Sequence, residues 1–157
     1  MKKTCIAFCF SLAVMFFYLP VKAQTSPVSS ELPAAAAADP WKASELLNPA
    51  ALAGLIKTGN APLIYNIGAV EDIITAKHVG PVKEAKNLEK FKNMIAALPK
   101  TTEIVIYCGC CPLPKCPNVR PAYSELKAAG FTNIRVLNLP VNLKTNWIDA
   151  GYPFAAK

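Results

Sequence analysis

Apolar positions in this chain fall into short blocks that switch between strand-like and helical spacing. Pro62-Leu-Ile-Tyr-Asn-Ile67, Glu103-Ile-Val-Ile-Tyr107 and Asn133-Ile-Arg-Val-Leu137 are apolar runs of strand length, which predicts three buried strands. Between them the period lengthens. Leu88, Phe91, Ile95 and Leu98 recur at helical intervals, which predicts a helix over 88–98 with Pro99 beyond its end. Asn48-Pro49, followed by an apolar stretch and Gly59, has the cap, first-turn proline and closing glycine of another helix. Shorter helices are expected over Glu71–Ala76 and Asn142–Ala150, and a longer one from Val119 to Ala129, closed by Gly130. His78-Val-Gly-Pro-Val82 reads as a turn with a brief extended piece. Strands that alternate with helices at short intervals predict an α/β fold with a parallel sheet flanked by helices on both faces. Ligands of such sheets gather at the carboxyl ends of the strands.

The first apolar block is of another kind. Met1-Lys-Lys3 is positive, Ile6 to Leu19 is apolar, and Val21-Lys-Ala23 ends in small residues before Gln24. This is the pattern of a secretory signal peptide over 1–23, cut after Ala23. The block is short for a membrane span, so no stable membrane insertion is expected once it is removed. An exported protein, periplasmic or secreted, follows from that reading. Residues 24–40, rich in Ser, Pro and Ala, read as a flexible tether, and residues 41–157 as a single domain. The formal net charge of +7 owes three of its units to Lys2, Lys3 and Lys22. The other basic residues are scattered without interleaved aromatics, which argues against a nucleic-acid partner.

The chemistry is concentrated in Tyr107-Cys-Gly-Cys-Cys-Pro-Leu-Pro-Lys-Cys-Pro-Asn-Val-Arg120. Cys5 and Cys9 leave with the signal, so Cys108, Cys110, Cys111 and Cys116 are the thiols that remain. They lie between a strand end and a helix start, where backbone N–H groups and the helix dipole stabilise a thiolate. An oxidising compartment also permits disulfides, with three possible pairings, although adjacent Cys110 and Cys111 are poorly placed to bridge. Cys-x-Cys-Cys-x4-Cys further supplies enough thiolates for a soft metal, but its spacing fits no common zinc knuckle, and no metal or other cofactor is assigned.

The order of these pieces resembles a rhodanese-type domain from about Ser44 to Pro153. Ala61-Pro-Leu-Ile-Tyr-Asn-Ile67 stands where that family has a strand ending in Asp-x-Arg, and Lys77-His-Val-Gly-Pro81 resembles its Gly-His-Ile-x-Gly element. Ile104-Val-Ile-Tyr-Cys108 resembles the strand ending in the active-site cysteine. Ala122-Tyr-Ser-Glu-Leu-Lys-Ala-Ala-Gly-Phe131, Asn133–Leu137 and Trp147-Ile-Asp-Ala-Gly-Tyr-Pro153 resemble the helix, strand and closing helix that follow. The chain departs from the pattern at Asn66 and Gly68, which replace an acidic and a basic residue. It departs again in the loop: the family cysteine stands five residues before an arginine, whereas Arg120 lies twelve after Cys108 and Lys115 occupies the nearer position.

The resemblance implies a sulfurtransferase that carries sulfane sulfur as a cysteine persulfide, with a small-molecule or protein sulfur donor and acceptor as partners. Cys108 matches the nucleophile, Cys116 is its rival or a resolving thiol, and Arg120 would hold an anionic donor. Lys115 would add positive potential, and Gly109 and Asn118 would turn N–H groups toward the sulfur. Two other functions stay open: a non-catalytic module binding a soft metal or a partner, and a thiol–disulfide redox protein. A Cys-Arg phosphatase is disfavoured by the loop spacing. His78, the single histidine, reads as a turn residue, Asn66 as lining the site or bonding loop backbone, and Trp41 and Trp147 as packing at the edges of the core.

Overall fold

The computed structural model describes residues 39–155. The expected signal peptide, with Cys5 and Cys9, and all of the expected tether except Asp39 and Pro40 lie outside them. Five parallel strands form one sheet: β1 (Leu46–Leu47), β2 (Leu63–Asn66), β3 (Lys77–His78), β4 (Ile104–Tyr107) and β5 (Ile134–Leu137). Their order is β1-β5-β4-β2-β3, which puts β4 at the centre. Tyr65 pairs with Ile106 and Asn66 with Tyr107, so β2 and β4 end together. Every residue of β4 is buried, as an apolar run in a parallel sheet requires.

Helices cover both faces. On one face α2 (Ala85–Ile95) and α3 (Val119–Ala128) press Phe91, Ile95, Ala122 and Leu126 onto Tyr65, Ile104 and Ile106. On the other, α1 (Pro49–Lys57) packs Leu52 and Ala53 with Ile64, Val105, Tyr107 and Trp147. The neighbouring β4 residues therefore serve different cores, as the alternation of side chains along a strand dictates. Among the described residues no helix is long and apolar enough to cross a membrane.

Local chemistry explains where sequence and structure agree. Asn48 caps α1 through its Oδ1, which accepts from the Ala50 N–H at 2.8 Å, and Gly59 takes the positive φ (76°) beyond the C-cap. The helix expected over 88–98 instead spans Ala85–Ile95. The Glu84 carbonyl accepts from Asn87 and Leu88, starting it early. Pro99 disfavours helical backbone at Leu98, so the chain leaves by a tight Leu98-to-Ile95 turn.

Three other expectations change. Residues 71–76 form no helix: Ile73 bridges Phe154 in antiparallel fashion and its N–H donates to Tyr107 Oη at 2.8 Å, so distant partners take the bonds a helix needs. The final helix contracts to a wide turn, Lys144–Ile148, closed by Asp149 N–H to the Lys144 carbonyl at 2.8 Å. Trp147, expected at a core edge, is fully buried and donates Nε1–H to the Pro153 carbonyl at 3.0 Å.

Candidate functional site

The chain leaves β4 at Cys108 and reaches α3 through a loop that is stitched down rather than hanging free. Gly109 turns with a φ of 74°, and its carbonyl accepts from Leu143 N–H at 2.9 Å. A Cβ at Gly109 would lie 2.7 Å from Leu143 Cβ, so glycine is required here for space as well as conformation. Leu113 is buried and donates its N–H to the Leu139 carbonyl at 3.1 Å. Pro112 precedes and Pro114 sits within a single 3₁₀ turn over Leu113–Lys115, closed by Cys116 N–H to the Leu113 carbonyl at 3.1 Å. This anchoring returns Cys116 to the mouth of the strand that delivered Cys108.

Three sulfurs meet as a result. Those of Cys108, Cys110 and Cys116 lie within 4.8 Å of one another, and Cys108 and Cys110 are 3.1 Å apart. Cys108 and Cys116 are buried, whereas Cys110 is exposed. The Cys111 sulfur touches only the outer member, 3.6 Å from that of Cys110. All four thiols are free.

Polar groups converge on the buried pair. Asn118, itself buried, donates Nδ2–H to Cys108 Sγ at 3.1 Å, while its Oδ1 accepts Lys83 N–H at 3.0 Å. Backbone adds to this: the Cys110 N–H favours charge on Cys108, and the N–H groups of Asn118 and Val119, opening α3, favour it on Cys116. The nearby Cys116 thiol, with the Cys110 and Asn118 donors adding their share, outweighs burial, and Cys108 is lowered to about 5. Its charge pushes Cys116 up, and partial burial together with that same charge pushes Cys110 up to about 12. These opposed shifts favour placing a single negative charge in the cluster at Cys108.

The roof over Cys108 comes from the loop after β2. A Cβ on Gly68 would stand 2.4 Å from the Cys108 carbonyl oxygen and 2.8 Å from its sulfur. Asn66, fully buried, fixes that approach: Oδ1 accepts Gly68 N–H at 3.0 Å, and Nδ2 donates to the Val70 carbonyl at 2.9 Å and to Asp72 Oδ1 at 2.8 Å. His78 Nδ1 in turn lies 2.9 Å from Asp72 Oδ1. Asn66 and His78 therefore organise loop backbone, and neither bonds a sulfur.

Of the residues picked from sequence, Cys108, Cys116 and Asn118 come together and Gly109 shapes the turn between them. Lys115 is exposed on the 3₁₀ turn. Arg120 is occupied elsewhere: it pairs with Asp39, donates to the Pro114 carbonyl at 3.2 Å, and stacks 5.7 Å from the Trp41 ring. Gly68, Lys83 and Val119 were not picked. A lone glycine directly after a strand was the available signal for Gly68, since such glycines often admit a close backbone approach. No known family model matches the chain, and no curated protein matches it.

Proposed function

We propose that the protein is an exported, rhodanese-like sulfurtransferase that carries sulfane sulfur as a persulfide on Cys108. The observation that carries this reading is the setting of one sulfur. Cys108 follows the central strand at its carboxyl end, under Gly68, with the Asn118 amide and the Cys110 N–H turned on it. A persulfide carries its charge on the outer sulfur, and fixed N–H donors favour that anion without reorganising.

The reaction balances simply. The Cys108 thiolate attacks the outer sulfur of thiosulfate, the S–S bond breaks, and sulfite leaves with the bonding pair. The product is the Cys108 persulfide anion. A nucleophilic acceptor such as cyanide then takes the outer sulfur as thiocyanate and returns the thiolate. Exposed Lys115 lends the outer side of the loop positive potential, which draws an anionic donor, while Arg120 spends its charge on Asp39. Cys116 acts as the proton-bearing partner that holds the Cys108 thiolate in place.

Intact-mass analysis tests the reading. The reduced mature protein, cut after Ala23, should gain one sulfur atom on thiosulfate treatment and lose it to cyanide. Cys108→Ser should abolish the gain. A gain that survives Cys108→Ser but not Cys116→Ser moves the site, and no gain in the wild-type protein removes sulfur transfer as its function.

A further inference from the structure

The same loop does something the persulfide reading does not require: it brings a third thiol, exposed Cys110, into contact with the buried pair. We propose that Cys108, Cys110 and Cys116 bind one cuprous ion, Cu(I), in a three-coordinate thiolate site, with Cys111 outside the ligand set.

Donor number, spacing and softness all favour that ion. With thiolate–metal bonds of about 2.3 Å, a planar three-coordinate site separates its sulfurs by about 4 Å. The trio spans this value, from 3.1 Å between Cys108 and Cys110 to a limit of 4.8 Å. Thiolates suit Cu(I), zinc and iron–sulfur clusters alike, but structural zinc and the clusters want four ligands, so three sulfurs favour Cu(I). Among the described residues no histidine, aspartate or glutamate joins the three sulfurs. Cys111 is a poor fourth ligand, because it neighbours Cys110 in sequence and its sulfur falls outside the group.

Three thiolates around a monovalent ion leave two negative charges, and the surroundings are built to bear them. The Asn118 Nδ2–H donates to Cys108 Sγ at 3.1 Å, and α3 opens at Val119, three residues after Cys116, with its N-terminus toward that end of the loop. Such outer donors orient ligands and tune affinity. Exposed Cys110 gives the ion its way in: it can be passed thiol to thiol from solvent to the buried pair. A metal on Cys108 and a persulfide on Cys108 exclude each other, yet each is measured without the other.

The test is an anaerobic titration of the reduced, full mature chain with Cu(I) held in a coloured bidentate chelate. The expected result is one Cu(I) withdrawn per chain, with X-ray absorption showing three sulfurs at about 2.3 Å. Cys111→Ser should match the wild-type protein. Cys110→Ser, at an exposed position, should weaken binding by at least the roughly tenfold that loss of even a supporting group costs. No copper withdrawn, two sulfurs in the first shell, or an unweakened Cys110→Ser each overturns the proposal. So does tetrahedral zinc that binds in preference to Cu(I) and needs Cys111. Sulfur gain from thiosulfate is read separately by mass, so either proposal can fail while the other stands.

Discussion

A thiol that ionises early is the most exacting claim at the scale of the residue. An ordinary cysteine gains its charge as pH rises through about 8.5. Cys108 should gain it through about 5, because the nearby Cys116 thiol, Cys110 and the Asn118 amide all favour its charged form. Ultraviolet thiolate absorbance of the metal-free protein should therefore rise by one thiol between acid and neutral pH. Cys108→Ser should remove that step, and Cys116→Ala, lacking the largest donor, should move it to higher pH. A protein with no thiolate at neutral pH contradicts the geometry. Gly68 gives a second test. Gly68→Ala forces a methyl group against the Cys108 carbonyl and sulfur. Overpacking of that kind costs about 1–3 kcal/mol, read by denaturant unfolding, and the persulfide yield should fall with it. The sequence displayed Cys108 at the end of an apolar run, but it could not display Gly68 beside it. Forty residues separate the two, and the contact exists only because β2 and β4 end in register.

Among elements, those whose instructions are local were the legible ones. Helix α1 carries its own cap, proline and glycine within a dozen residues, and it forms where they direct. Asn48→Ala should cost about 1 kcal/mol, the usual loss for such a cap, seen as a lower denaturation midpoint with unchanged slope. The segment 71–76 was illegible for the opposite reason. Its Glu-Asp-Ile-Ile pattern suits a helix, but Tyr107, Pro153 and Phe154 capture its backbone from elsewhere. Loop 66–72 likewise takes its shape from one side chain. Asn66→Ala strands the buried Gly68 N–H, a loss worth about 1–3 kcal/mol, and frees the part-buried Val70 carbonyl and Asp72 carboxylate. It should destabilise the protein and slow persulfide formation together, since the roof over Cys108 loses its pin. Stability lost with no change in the sulfur step would separate the loop from the site.

Over the whole molecule, the sheet presents its longest strands to its own interior and its shortest to the outside. β1 and β3, of two residues each, stand at the two edges, while β2, β4 and β5 have four. The alternation of blocks made a parallel sheet legible, yet neither edge strand showed a pattern, because two residues are too few to carry a period. Their brevity has its own effect. A sheet edge is a row of unpaired N–H and C=O groups, an open template on which another chain can add as a further strand. Two residues offer little purchase. Newly made chains crowded together before their loops have settled therefore find few places to zip onto one another, so the soluble yield on refolding should change little as protein concentration is raised. Extending β3 with a run of valines should reverse that and give light-scattering aggregates, even with every cysteine left in place.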